Sequence, residues 1–497
     1  MPGALVLTAA EDLGPVEIRS VARGRQIRIA EPLAAAVASV RAAAVSALES
    51  PGPVYGVTTG MGDQSQLELD AAVRERHQDT LMLGRAVGSP PWLTRRQARA
   101  ALAARLRTFL NGDAAVTVGL CRQLAALLNA DVVPAVPSTG LGAVGEIIAL
   151  AHLGALVTGS GSALAPDGVT ARPAADALAA AGLRPFPLGV KEGVALLEGV
   201  PTTSALAVLT SERARHLADW AAVVAGTGIA VTGAHRDPYS PLLARGDAEL
   251  AAALERIREV AGFDPAPRAL QAPLSFRVLG PALAHLARCT SALDAAVERA
   301  LGGVSDSPAF IDGAFVGSAG FDGFDLAATL DAVTVAACHL AETSAARLHR
   351  LLDDRVTGLP RQLTDSPGLH AGLVAVHKRA VGVVHRMRRE AVPACLGSVE
   401  TSLGQEDVQS FSMESARTLG SALDGLAEVL ACELLGVHQA VLLGGRPVCL
   451  GADAHRILDA AAAALPPGTS DRPFGRDIDA LLDLTSGSVK RFTEPHQ

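Results

Sequence analysis

Apolar residues recur at helical spacing along most of the chain. Thr94 and Gln97 have the spacing of a capping box, and the apolar positions that follow as far as Phe109 lie three or four residues apart. A second stripe of this kind runs from Asp247 to Val260, and a longer one from Leu326 to Leu352. The pattern predicts a protein built mainly of helices, several of them long.

Signals for strands are short and lie near the start of the chain. Residues 16–18 and 26–29 are typical of β-structure, and residues 32–50 predict a helix. The stretch from Ile147 to Pro166 carries no Asp, Glu, Lys or Arg, but glycine, serine and threonine crowd its second half. We therefore expect a buried helix followed by a loop there, and no membrane span.

Composition narrows the class of protein. The 497 residues carry a formal net charge of −8, which argues against a nucleic-acid-binding protein, for which a basic face would be expected. The six cysteines include no CxxC pair and predict reduced, mostly buried thiols. Residues 1–12 lack the basic and apolar regions of a signal peptide. These features predict a cytoplasmic protein, and no residue pattern predicts a metal site.

Residues 142–152 read Gly-Ala-Val-Gly-Glu-Ile-Ile-Ala-Leu-Ala-His. The segment resembles the cofactor-forming motif of the aromatic amino acid ammonia-lyase family, Gly-Ala-Ser-Gly-Asp-Leu-Ala-Pro-Leu-Ala-His. In that family the Ala-Ser-Gly triplet cyclises to methylidene-imidazolone (MIO), an electrophile. Here the triplet is Ala143, Val144 and Gly145. The reactive alkene forms when the middle residue loses its β-oxygen as water, and valine has none, so we expect no cofactor.

Residues 55–62 read Tyr-Gly-Val-Thr-Thr-Gly-Met-Gly and resemble the family segment Tyr-Gly-Val-Asn-Thr-Gly-Phe-Gly. The resemblance implies that Tyr55 is a catalytic base. A free phenol has a pKa of about 10, so this role requires neighbouring donors or positive charge. The alternative is a structural turn that carries a half-buried tyrosine.

Two further exchanges concern polar residues of the family's active site. Arg85 stands where the histidine enzymes carry a histidine that helps to select the substrate side chain, and it is either a surface arginine or a fixed cation near the ligand. Glu198 replaces the asparagine that binds the MIO carbonyl and the substrate. Its carboxyl could accept a proton, or donate one if burial raises its pKa. The alternative is a carboxylate at a helix end that faces water.

Further matches concern substrate binding. Arg277 is retained, and the resemblance implies that it clamps a substrate carboxylate, whereas Leu274 replaces a second active-site tyrosine and makes the pocket more apolar. Gln405 and Glu406 are retained, and the family glutamate faces the ligand amine, although a structural role is the alternative. Asp322 replaces a histidine and is either a solvated loop residue or a new acid near the pocket.

The resemblance runs from about residue 15 to 490. It implies a mainly α fold, a long-helix central bundle of the histidine ammonia-lyase type with a smaller mixed N-terminal region. We expect an active-site-loop domain at 1–195 and a helical bundle at 196–497. It also implies a homotetramer whose active sites draw residues from three chains and bind a small molecule, with neither nucleic acid nor membrane as a partner.

The predicted activity depends on the missing side-chain hydroxyl at position 144. General acid–base catalysis contributes about 10²–10⁴-fold, which is little for an elimination that lacks an electrophile. We therefore expect an MIO-independent enzyme in which Tyr55, Glu198 and Glu406 perform cyclisation, conjugate addition, dehydration or isomerisation on a carbonyl-activated substrate, in natural product biosynthesis. The alternatives are a non-catalytic homologue that binds a ligand or subunit, and a residual aromatic amino acid ammonia-lyase.

Overall fold

The structure is a computed structural model that describes residues 3–50, 52–142, 144–262 and 266–486. It is 61% helix and 6% strand, so the prediction of a mainly α fold is confirmed. The α-helices are α1 (Pro15–Ala22), α2 (Glu31–Ala47), α3 (Ala71–Arg85), α4 (Arg95–Leu110), α5 (Val118–Asn129), α6 (Ile147–Val157), α7 (Ala174–Ala180), α8 (Glu192–Leu197), α9 (Pro201–Val231), α10 (Ala248–Ala261), α11 (Leu274–Arg277), α12 (Leu279–Gly302), α13 (Phe324–Leu351), α14 (Asp354–Thr357), α15 (Val374–Glu390), α16 (Ser412–Gly444), α17 (Ala452–Ala464) and α18 (Phe474–Ser486).

The strands of the described residues form three small sheets of two strands each. The first pair is parallel, with Leu5 opposite Ile27, and the other two are antiparallel. In chain order the strands are β1 (Leu5–Leu7), β2 (Ile27–Ile29), β3 (Ser162–Leu164), β4 (Ala171–Pro173), β5 (Ala309–Ile311) and β6 (Ala314–Val316).

Helix starts follow the signals in the sequence. Thr94 caps α4, because its side chain accepts from the Gln97 amide at 3.3 Å while the Gln97 side chain accepts from the Thr94 amide at 2.9 Å. Asp247 caps α10 through the Leu250 amide at 2.9 Å. From Ala98 onwards α4 is buried on every face, which suits its small alanine side chains.

One predicted strand is wrong, because residues 16–18 lie in α1. Pro15 occupies the first helical position, where a proline is well tolerated, and the buried Ile18, Val21 and Ala22 recur at helical rather than strand spacing. The apolar stretch after position 146 forms the buried helix α6, as predicted, but its second half contains β3 where we expected only a loop.

The chain divides into two compact units. Unit 1 consists of Met1–Thr210, Leu293–Asp331 and Pro393–Arg417, and unit 2 consists of Ser211–Ala292, Ala332–Val392 and Thr418–Gln497. Each unit therefore gathers three separate stretches of sequence. The domain boundary at residue 195 stays a prediction.

Within the part of the chain that the structure describes, three helical stretches are long and apolar enough to cross a membrane by length and composition, namely Glu192–Val231, Phe324–Leu351 and Ser412–Gly444. The most apolar part of each stretch is buried inside the protein, to 94%, 61% and 78% respectively. Packing within the protein therefore explains the hydropathy of these helices.

Candidate active site

Glu198 occupies the short connection between α8 and α9 in unit 1. Its backbone is extended (φ −96°, ψ 148°), and its side chain is buried. The next residue, Gly199, has φ +100°, and a Cβ there would come within 2.9 Å of the Ser305 hydroxyl oxygen. Glycine is therefore required for the turn that directs the Glu198 side chain into the protein interior.

The N-terminus of α8 is capped by a residue from another helix. The first amides of any helix have no partner within it. Gln78 of α3 supplies the acceptor, because its Oε1 accepts from the Gly193 amide at 3.0 Å and the Val194 amide at 3.2 Å. The same side chain donates from Nε2 to the Gly56 carbonyl at 3.1 Å. No pattern in the sequence predicted this role for Gln78.

The N-terminus of α9 is capped in the same way. The Glu146 carboxylate accepts from the Thr202 amide at 2.8 Å and from the Thr203 amide at 2.6 Å. Burial raises the pKa of Glu146, whereas these bonds lower it. The acid retained from the cofactor-forming motif therefore fixes one of the two helices that flank Glu198.

Glu198 lies in a strongly charged environment. Burial is the main reason that the pKa of Glu198 is raised to about 8, and the negative charges of Asp306 and Glu406 raise it further. The positive charges of Lys191 and Arg105 lower this pKa. At neutral pH this carboxyl group is mostly protonated. It can therefore donate a hydrogen bond, as the family asparagine does.

Buried charged side chains lie around Glu198. The Lys191 ammonium lies 2.5 Å from Asp306 Oδ2, with both side chains buried, and Arg105 donates to the Glu198 carbonyl oxygen at 2.5 Å. Burial, and then Asp306, raise the pKa of Asp113 to about 6. We did not predict this network, although charged residues within apolar segments at positions 105 and 191 were a signal for it.

Tyr55 lies on the loop that follows α2. Its hydroxyl oxygen accepts from the Gly62 amide at 2.8 Å. Burial is the largest influence on the Tyr55 pKa and raises it above its usual value, and the charges of Glu198 and Glu406 also raise it. The hydrogen bond from Gly62 and the charge of Arg85 lower it. We name Tyr55, Arg85, Glu198 and Glu406 the site cluster, because these four groups interact electrostatically.

Arg85 ends α3 and is half-buried. Burial lowers its pKa, while Tyr55, Glu198 and Glu406 each favour its charged form. The structure therefore places this guanidinium in the site cluster. Its binding of substrate stays a prediction.

Glu406 has a structural partner as well as a place in the site cluster. Its Oε2 accepts from the Thr401 hydroxyl at 2.5 Å, and the Thr401 amide donates to the Glu406 carbonyl at 2.9 Å. The neighbouring Gln405 is exposed. The contact with Thr401 orients the Glu406 carboxylate, and the catalytic role of Glu406 and the binding role of Gln405 stay predictions.

The degenerate triplet borders Glu198. Ala143 lies outside the described residues, and Val144 opens a short 3-10 turn. Gly145 has φ +71°, and a Cβ there would lie 3.5 Å from Phe321 and 3.6 Å from Glu198 Oε2. Formation of MIO needs a β-oxygen that the hydrocarbon side chain of Val144 lacks. The residues present do not fit this cofactor, and we assign no part of the reaction to it.

Asp322 has local partners. Its Oδ2 accepts from the Phe324 amide at 3.2 Å at the start of α13, and its carbonyl oxygen accepts from the Ser410 hydroxyl. A Cβ on Gly320 would lie 2.0 Å from the Val304 carbonyl oxygen, so the family asparagine has no room there. Within the described residues no group of three or more His, Cys, Asp or Glu could hold a metal ion.

Leu274 and Arg277 belong to unit 2. Arg277 donates to Gln271 Oε1 at 3.1 Å, and the Leu274 side chain is exposed. Their helix is held by Arg347, which donates to the Ser275 carbonyl at 3.3 Å and pairs with a fully buried glutamate of α16. The roles predicted for Leu274 and Arg277 in substrate binding stay predictions.

Comparison with known proteins supports the same family. The model of the aromatic amino acid lyase family matches residues 13–463. Histidine ammonia-lyase of Gloeobacter violaceus is 33% identical over 94% of this chain and 93% of its own length, and that of Streptomyces coelicolor is 34% identical over 86% of each. The solved tyrosine aminomutase of Streptomyces globisporus is 27% identical, with a TM-score of 0.91 over 98% of this chain and 97% of its own.

These findings correct the functional expectation. The prediction of an MIO-independent enzyme acting on a carbonyl-activated substrate is wrong, because relatives that match most of the chain are histidine ammonia-lyases. They favour the second alternative, a residual aromatic amino acid ammonia-lyase. The similarity of the whole chain outweighs the one missing hydroxyl at position 144. The fold, the retained motifs and these relatives agree, and the chain belongs to the aromatic amino acid lyase family.

Proposed function

We propose that this protein is an aromatic amino acid ammonia-lyase of residual activity, with histidine as the first substrate to test. The observation that carries the proposal is the 33% identity to a histidine ammonia-lyase over 94% of the chain. The presence of the retained Tyr55 and Glu406 in one electrostatic cluster supports it. The activity is residual because Val144 supplies no β-oxygen.

The reaction sets clear requirements. The β C–H bond and the C–N bond break, the electron pair of the C–H bond forms the new double bond, and the amine leaves with the electrons of the C–N bond. One proton must pass to a base. Tyr55 is the group proposed to accept it, and because its pKa lies above the usual phenol value, its basic form becomes scarcer as the pH falls.

The charges of the site cluster suit an amino acid zwitterion. We assign the ammonium group to Glu406, whose carboxylate is oriented by Thr401, and the carboxylate to Arg85, whose guanidinium can bind it through two hydrogen bonds. Protonated Glu198 provides a hydrogen-bond donor where the family uses an amide. This donor is lost as the pH rises through about 8.

We further propose a homotetramer, in which Arg277 of one subunit approaches the site of another. Support comes from the family resemblance and from large apolar side chains at the surface, such as Leu403 at 91% exposed and Leu274 at 65% exposed. Subunit contacts are the ordinary cover for such side chains. We place the protein in the cytoplasm, because all six cysteines are free thiols.

The test is turnover of L-histidine, L-phenylalanine and L-tyrosine by the purified protein. We expect ammonia and the matching unsaturated acid in equal amounts, at a slow rate. The isosteric variants Tyr55→Phe and Glu406→Gln are controls that should lose this rate while remaining folded. Binding of an amino acid without either product would identify a non-catalytic homologue and overturn the proposal.

A further inference from the structure

We infer that Gln78 is the positioning residue of the site cluster, because its carboxamide joins the three elements that carry Tyr55, Arg85 and Glu198. For its activity readout this inference rests on the proposed function. Its geometric readouts do not depend on turnover.

Both the oxygen and the nitrogen of the Gln78 carboxamide form hydrogen bonds. The side chain is 0% exposed, its oxygen accepts from two amides at the start of α8, and its nitrogen donates to the Gly56 carbonyl. Lys191, which precedes α8, makes no side-chain cap of its own. Gln78 is therefore both the cap of α8 and the tether of the Tyr55 loop.

The packing around Gln78 leaves little free space. A Cβ on Gly193 would lie 2.5 Å from the Gln78 carbonyl oxygen, and a Cβ on Gly56 would lie 2.8 Å from Val194 Cγ2. Since α3, α8 and the loop approach this closely, displacement of one element must displace the others.

The distances along the chain to the reactive groups are short. Tyr55 is adjacent to Gly56, Arg85 lies about two helical turns beyond Gln78 on α3, and Glu198 directly follows the last residue of α8. Loss of the Gln78 bonds therefore alters the mutual placement of the site cluster. A misplacement of about 1 Å is enough to cost an enzyme about 10²-fold in rate.

The first test is Gln78→Met, which keeps an unbranched side chain without the amide. Gln123→Met is the matched control, since Gln123 of α5 lies outside the site cluster and donates from its amide nitrogen to the Arg184 carbonyl at 3.0 Å. The readout is the absorbance of tyrosinate as a function of pH. The chain has two tyrosines, and burial raises the pKa of Tyr239 far above that of a free phenol, so Tyr55 ionises first.

Burial is the main cause of the raised Tyr55 pKa, so release of its loop should bring this pKa down towards about 10 in Gln78→Met. Gln123→Met should titrate like the wild type. We also expect kcat to fall by about 10²-fold with little change in KM. A folded Gln78→Met protein with the wild-type tyrosinate curve would overturn the inference. Absence of turnover in the wild type would overturn only the proposed function.

A second variant keeps the test decisive if Gln78→Met does not fold. Gln78→Glu in its ionised form retains the acceptor for α8 but has no donor for Gly56, so the two proteins are compared at pH 9, where a carboxyl group is ionised most readily. In hydrogen exchange, peptides covering residues 54–62 should exchange faster than in the wild type, while those covering 191–197 keep their protection. Unchanged exchange in residues 54–62 would contradict the inference.

Discussion

Replacing Glu198 with glutamine should stabilise the protein at neutral pH, by an amount that depends on pH. Burial raises the folded pKa of Glu198 to about 8 from 4.5, so folding favours its protonated form. The stability that this group contributes is fully present below pH 4.5 and is lost as the pH rises through about 8. The separation of the two pKa values corresponds to about 5 kcal/mol.

Glutamine is neutral at every pH and has nearly the same shape, so Glu198→Gln removes this dependence. The variant should exceed the wild type in free energy of unfolding by about 1 kcal/mol at pH 5, about 3 kcal/mol at pH 7 and about 5 kcal/mol above pH 8. Urea denaturation at fixed protein concentration from pH 5 to 9 measures the difference. Glu49→Gln makes the same substitution at an exposed position and serves as the control. A gap for Glu198→Gln that is equal at pH 5 and pH 9 would refute the reasoning.

Three further predictions concern the network around Glu198. Lys191→Met leaves the Asp306 carboxyl buried without its partner. It should lower the free energy of unfolding by about 3–5 kcal/mol in urea denaturation, and much of this loss should be recovered when Asp306→Leu is added. No recovery would contradict a simple charge pair. Glu146→Ala removes the cap of α9 and should cost about 1–2 kcal/mol in the same assay, and Glu146→Gln should cost less. Turnover should rise with pH up to about 8, since the Tyr55 phenolate becomes more abundant, and the rise should stop there in the wild type as Glu198 loses its proton but continue in Glu198→Gln.

Local signals in the sequence predicted most helices. The capping box at Thr94, the stripe that becomes α10 and the long pattern that becomes α13 depend on residues only a few positions apart. The error at residues 16–18 has the same origin, because three residues are too few to distinguish the spacing of a strand from that of a helix. The resemblance to a family supplied the arrangement of long helices that periodicity alone does not give.

The hydrogen bonds that support the site could not be predicted from such local signals. Gln78 and the amides of α8 are 115 residues apart, and Glu146 and the start of α9 are 56 residues apart. No local spacing encodes such hydrogen bonds, because they arise only when the helices pack. Four predicted site residues, Tyr55, Arg85, Glu198 and Glu406, interact in unit 1, whereas Leu274 and Arg277 belong to unit 2.

The rate of ammonia release from histidine, compared between the wild type and Val144→Ser, tests the central claim most directly. We predict slow release by the wild type, with an equal amount of the unsaturated acid. In Val144→Ser the rate should rise and the intact mass should fall by two water molecules. If neither protein releases ammonia while both bind histidine, the chain is not a lyase and the account is contradicted.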